Sequence, residues 1–165
     1  MKPLEPPDSH YLRAAEGWLR LGNHLEAEEE LAMISAPMRA HPEVLRIRWE
    51  VYAEAKKWEL AAEIARALAE MLPDRSFGWI QFAYSLHAMK RTREARAVLL
   101  PVVDKFPDQY IFQYSLARYA CQLGDIRESK RWLKRACEVA DKAEVIEMAS
   151  LDPDLKPLWN EISKI

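Results

Sequence analysis

Only four glycines and two cysteines occur among 165 residues, and these shortages exclude several function classes. Phosphate-cradling loops need glycine at fixed spacing, and neither a Walker-type nor a Gly-x-Ser-x-Gly pattern is present. Two cysteines do not make a disulfide framework. The longest apolar run, 97–103, is interrupted by Pro101 and falls far short of the roughly 20 residues that span a bilayer. No segment alternates apolar and polar residues with β-branched enrichment, as a half-buried strand would. A dominant charge sign is also missing, and a net charge of −2 argues against a general nucleic-acid binder. Residues 1–7 carry three prolines and no apolar run of the signal-peptide kind, so a cytoplasmic protein is the expectation.

What is present is a chain that is 50 % hydrophobic and 30 % charged, rich in helix formers and long enough for a substantial core. An all-α, soluble chain follows. It is also periodic. Glu26-Ala27, Leu60-Ala61, Glu94-Ala95 and Glu128-Ser129 recur every 34 residues. Four residues beyond each small residue stand Leu31, Ala65, Leu99 and Leu133; seven beyond stand Ile34, Leu68, Val102 and Ala136. Another column reads Ala15, Trp49, Ala83 and Ala117, and a fourth Trp18, Tyr52, Leu86 and Ala120. The stretch 76–108 shows one unit plainly. Trp79, Phe82, Ala83 and Leu86 are helically spaced, Lys90-Arg91-Thr92 makes a polar break, Ala95, Leu99 and Val102 follow, and Pro107-Asp108 stops the unit.

The period, the small residues where helices would touch, Leu21-Gly22-Asn23 and Leu123-Gly124-Asp125 at turns, and Pro73 and Pro107 at unit ends resemble the tetratricopeptide repeat family. The resemblance covers about 8–141. It implies a right-handed α-α superhelix of antiparallel pairs, in repeats at about 8–41, 42–75, 76–109 and 110–143. Residues 1–7 would precede the array, and capping helices at 142–165 would close it. Asp152-Pro153-Asp154-Leu155-Lys156-Pro157-Leu158-Trp159 also resembles an ending of bacterial proteins of this class.

Local departures carry expectations of their own. Trp49 stands where other repeats have alanine, and Ala61, Ala62 and Ala65 opposite should compensate its size. Ala36-Pro37 ends repeat one early, so the connection to Pro42 should be irregular, and Pro42 itself should sit in a first helical turn. Pro101 should kink its helix, while Asp74 and Asp108 should cap the helices after them. Leu155, Leu158, Trp159 and Ile162 should form one apolar stripe, covering the last hydrophobic face or meeting a second copy.

Catalysis finds little support in these residues. His10, His24, His41 and His87 fall in different repeats or connections, without metal-ligand spacing. His87 and Cys121 occupy equivalent columns of adjacent repeats, so a thiolate–imidazole pair is conceivable. Cys121 and Cys137 should be too far apart in an antiparallel pair to form a disulfide. No enzyme, cofactor or metal is expected. Glu26, Glu28, Glu29 and Glu30 read as a solvated acidic face, and Arg127, Lys130, Arg131, Lys134 and Arg135 as a basic one. That polarity could drive self-assembly through the two ends. The basic helix is also where RNA binding would start, but aromatic residues do not interleave with it.

The resemblance also implies a concave groove lined by first helices. Its columns hold Ser9, Leu12, Glu16 and Leu19; Glu43, Arg46, Glu50 and Ala53; Phe77, Ile80, Tyr84 and His87; and Ile111, Tyr114, Arg118 and Cys121. Beside them run Arg13, Ile47, Gln81 and Ser115. The carboxylate clamp of some members is absent, because Leu12, Glu16, Ile47, Phe77 and Gln81 occupy its places. The expected function is a non-enzymatic scaffold that takes a peptide or helix of a partner protein. Its expected contacts are Phe77, Ile80, Tyr84, His87, Ile111, Tyr114 and Arg118, with Arg46 and Glu50 beside them. The chain's own C-terminal segment could instead fold into that groove. A monomer or weak homo-oligomer without a membrane partner completes the reading.

Overall fold

The computed structural model describes residues 3–162; residues 1–2 and 163–165, the outer ends of the expected extension and cap, lie outside the described residues. Among the described residues there are ten α-helices, three short 3-10 helices and no strand. The first eight α-helices are α1 (Asp8–Arg20), α2 (His24–Met33), α3 (Pro42–Glu54), α4 (Trp58–Met71), α5 (Ser76–Ala88), α6 (Thr92–Leu99), α7 (Ile111–Gln122) and α8 (Ile126–Val139). Two more, α9 (Lys142–Leu151) and α10 (Trp159–Ile162), follow. Second helices begin at His24, Trp58, Thr92 and Ile126, 34 residues apart each time.

The turns before those second helices share one backbone device. Gly22, Lys56, Lys90 and Gly124, again 34 apart, all have positive φ, at 73°, 55°, 64° and 85°. A left-handed residue there lets the following N–H groups reach back to the last carbonyls of the preceding helix. Asn23, Lys57, Arg91 and Asp125 accordingly donate to Trp18, Tyr52, Leu86 and Ala120. Asn23 and Asp125 then cap the next helix through the Glu26 and Glu128 amides.

The chain divides into two compact units, one ending at Ser85 and the other starting at Leu86, inside α5. In the first, α1 packs on α2 and α3 on α4, with α2 and α1 also meeting α3. Leu12, Ala15, Ala27, Leu31, Ile34, Val44, Ile47 and Val51 form a buried cluster, against which Leu4 of the N-terminal segment packs. The Asp8 carboxylate receives the Ser35 amide at 2.8 Å and its hydroxyl at 2.6 Å, tying the start of α1 to the end of its hairpin. These hydrogen bonds lower the Asp8 carboxyl below its ordinary value, against the opposing effect of burial. The connection from α2 to α3 is irregular, as expected: Ala36–Met38 is a 3-10 turn, and Pro42 is the first residue of α3.

Trp49 meets fully buried Ala61 and Ala65, the expected exchange of large for small, and its indole N–H donates to Ser85 Oγ at 3.1 Å. Gly78 lies against the backbone of α4. A Cβ built there would lie 2.4 Å from the Ala69 backbone nitrogen, so only glycine lets α5 approach α4 this closely.

In the second unit α7 packs on α8 and α6, and α9 packs on α8. Phe106 stacks on Phe112 with centroids 4.7 Å apart. Ser129 Oγ donates to the Ala117 carbonyl at 2.7 Å, so the small residue of the fourth hairpin also bridges its helices. A 3-10 segment, Pro153–Leu158, lies on α7 and leads into α10. Leu155, Leu158 and Ile162 are fully buried there, each contributing about 1.5–3 kcal/mol of apolar burial.

Three expectations change. Pro101 does not kink a long helix. It follows the end of α6 at Leu99, and the chain turns into a 3-10 segment, Val103–Lys105, because proline cannot supply the next amide donor. Asp108 does not cap α7, whose N-cap position is Tyr110 without a side-chain bond. Trp159 leaves the apolar stripe. The 3-10 geometry breaks the α-helical spacing, and its ring is 40 % exposed with its N–H donated to the Asp152 carbonyl.

Candidate functional site: an aromatic cleft and an occupied face

An open cleft of about 610 Å³ lies in the first unit, lined by side chains of α1, α3, α5 and the start of α4. Glu16 and Leu19 come from α1; Arg46, Ile47, Trp49, Glu50 and Ala53 from α3; Trp58 from α4; Gln81 and Tyr84 from α5. On α3, Arg46, Glu50 and Ala53 follow one another at helical three- and four-residue steps, so a single face supplies them. Arg46 bridges two helices. It donates to Glu16 on α1 at 2.5 Å and to Glu50 at 2.7 Å. Two half-buried carboxylates therefore share one guanidinium, and the three groups sum to one negative charge when ionised. Burial pushes the Glu50 carboxyl above its ordinary value, with the Glu16 charge adding to the shift and Arg46 failing to offset it.

The aromatic lining is a connected set. Tyr84 meets Trp58 with centroids 5.6 Å apart at 71°, and Trp49 at 6.2 Å and 69°. Each such contact sets the edge of one ring against the face of the other, and Trp58 remains partly exposed. Tyr84 is 39 % exposed, unusual for a ring held by two tryptophans.

The equivalent face of the second unit is occupied. Asp154 receives His87 Nε2 at 2.9 Å and Arg118 Nη2 at 2.5 Å, and its carbonyl accepts from Gln122 at 2.8 Å. Asp152 accepts the Tyr114 hydroxyl at 2.9 Å and caps its own segment through the Asp154 amide. Arg118 Nε stands 3.0 Å from Asp152 Oδ2 as an ion pair, off the direction a hydrogen bond requires. Burial pushes the Tyr114 hydroxyl up strongly, reinforced by the Asp152 charge. For Asp154 burial acts upward, but the His87 and Arg118 hydrogen bonds outweigh it and hold the carboxyl below its ordinary value. Arg118 is held above its usual value: burial opposes its charge, and both aspartates more than restore it.

The expected contact residues are thus distributed. Arg46, Glu50 and Tyr84 line the open cleft. Phe77 touches the Trp49 ring edge-on at 5.8 Å and faces a separate cavity of about 830 Å³ shared with Leu4 and His41. His87, Tyr114 and Arg118 hold the chain's own C-terminal segment. Ile80 and Ile111 are half-buried and line none of these cavities. His87 Nδ1 lies 3.0 Å from Thr92 Oγ1 and Nε2 faces Asp154, so neither ring nitrogen turns to Cys121. Burial also raises the Cys121 thiol, the opposite of an activated nucleophile. Both cysteines are free. Among the described residues no cluster of histidine, cysteine and carboxylate is placed to hold a metal, and no helix is long and apolar enough to cross a membrane.

Sequence reasoning missed Trp58 as a site residue and read Trp49 as packing alone. Trp58 opens α4 just after the left-handed turn at Lys56 and is half-buried against the Trp49 cluster. A tryptophan at the first position of a second helix was the signal available. Asp152 and Asp154 were visible as part of a motif, but not their partners. The basic face of α8 is partly neutralised: Lys130 pairs with Glu161, and Arg135 with Asp104.

Set against known proteins, the chain matches no protein-family profile and no curated sequence. What the described residues define is an all-helical class in which consecutive helices pack as neighbouring pairs, with an open aromatic cleft in the first unit.

Proposed function

We propose that the chain is a tetratricopeptide-like helical array, stacked in the right-handed sense the resemblance implies, and that it serves as a non-enzymatic scaffold. It captures an extended or helical segment of a partner protein in the cleft between α1, α3 and α5. The observation that carries this reading is the cleft itself. It pairs three aromatic rings with a charged triad, Glu16, Arg46 and Glu50, in an open concavity of about 610 Å³. Aromatic anchors with arginine beside them are the composition of binding hot spots. His87, Tyr114 and Arg118 belong in this reading to the C-terminal cap, since their polar atoms are committed to Asp152 and Asp154.

The test is a random-peptide display selection on the full chain, followed by affinity measurement with Tyr84→Ala and Trp58→Ala. Selected peptides should bind these variants at least about tenfold more weakly, with helical circular dichroism unchanged. Peptides that bind both variants as tightly as the parent chain sink the cleft assignment.

A further inference from the structure

The floor of the cleft carries one net negative charge beside partly exposed aromatic rings. Resting on the capture reading above, we propose that it is a receptor for the guanidinium of an arginine side chain presented by the partner segment.

Three observations lead there. First, Glu16 and Glu50 share the single guanidinium of Arg46, leaving one net negative charge on the cleft floor. Both carboxylates are only partly exposed, at 29 % and 35 %, so the charge is weakly screened. Burial raises the Glu50 carboxyl, with the neighbouring Glu16 charge a smaller contribution in the same direction. Second, the rings of Trp49, Trp58 and Tyr84 meet edge to face. Trp49 is buried, with its N–H given to Ser85, and backs Tyr84. The partly exposed rings of Tyr84 and Trp58 are the ones a ligand can reach. Third, the remaining charged lining residues, Arg20, Glu54 and Lys56, are exposed. They sum to one positive charge, which balances the floor overall, but their exposed charges are screened by salt far more than the half-buried floor.

A guanidinium satisfies both halves of this surface. Its plane stacks on an aromatic face while its N–H edge donates to a carboxylate in the fork geometry. An ammonium is more strongly hydrated and cannot stack, so lysine fits less well. An acidic ligand is disfavoured, because Arg46 is already held by two carboxylates.

The experiment follows the indole N–H resonances of Trp49 and Trp58 in the isotope-labelled full chain. The probes are four capped pentapeptides, identical except for arginine, lysine, citrulline or norleucine at the centre. The arginine peptide should shift both indoles saturably. Citrulline, planar but uncharged, should bind about tenfold more weakly, and lysine several-fold more weakly. In Glu50→Gln the preference for arginine over citrulline should shrink to near parity. Equal affinity for arginine and citrulline peptides overturns the guanidinium assignment while leaving peptide capture intact. So does silence of all four while display-selected peptides still bind the cleft. Silence of all four together with failure of the display selection overturns both readings.

Discussion

At Gly78 the absence of a side chain sets how two helices meet. Replacing it by alanine would gain about 1 kcal/mol of helix propensity. The new Cβ, however, would stand 2.4 Å from the Ala69 nitrogen and 2.7 Å from its Cα, and backbone cannot yield as a flexible side chain does. The clash wins. Gly78→Ala should destabilise the chain by about 1–3 kcal/mol, read as a lower urea midpoint with unchanged m. At Asp154 the sign of a pH effect can be fixed. Its folded carboxyl lies below the ordinary 3.8, so its ionised form stabilises the fold above that value. The stability is lost as pH falls through the folded pKa. The same direction applies to Asp8. Thermal melts between about pH 5 and pH 2.5 should therefore drop steeply for the parent chain. Asp154→Asn, less stable at neutral pH, should drop less over that window. Parallel curves would show that His87 and Arg118 do not favour the ionised carboxylate.

At the scale of elements, the left-handed turns form a natural internal comparison. The same backbone position is glycine at 22 and 124 but lysine at 56 and 90. A left-handed conformation costs an L-residue roughly 1–2 kcal/mol, partly offset by the flexibility glycine brings to the unfolded chain. Lys90→Gly should thus stabilise by about 0.5 kcal/mol and Gly124→Ala should destabilise by about 1 kcal/mol. Denaturant midpoints that move the other way would mean that the turns are shaped by something besides φ. The helices themselves were legible because each repeats an apolar spacing that pays no attention to distant partners. Trp49 against Ala61 and Ala65 was legible for the same reason, as a disturbance in a periodic column. Pro101, Asp108 and Trp159 were not. Each sits where a helix could stop, cap or bend, and the choice depends on which backbone groups find partners after packing. Of the groove columns the resemblance implies, Glu16, Leu19, Arg46, Ile47, Glu50, Ala53, Gln81 and Tyr84 line the cavity, while Ser9, Leu12, Glu43, Phe77 and Ile80 of the same helices do not. The locking of His87 to Asp154 joins positions 67 residues apart, a pairing that leaves no periodic trace in the sequence.

For the whole molecule, the proposed array makes a statement about cooperativity. In a stacked repeat protein each unit contacts only its neighbours, so a defect at one end should loosen that end first. The C-terminal segment is the place to apply it. Leu158 is fully buried in the segment that lies on α7, and Leu158→Ala removes packing worth about 2–5 kcal/mol. Hydrogen exchange should then show protection falling in α7, α8 and α9, while amides of α1 and α2 keep theirs. A single cooperative block would behave differently, losing protection evenly from α1 to α9. The comparison also bears on the acidic pair beside Leu158. If Asp152→Asn with Asp154→Asn gives the same graded loss without touching the apolar contacts, the polar lock and the buried leucines act as one cap. If only the leucine change does so, the aspartates serve chiefly to satisfy Arg118, His87 and Tyr114, and the hydrophobic contacts alone hold the end of the chain in place.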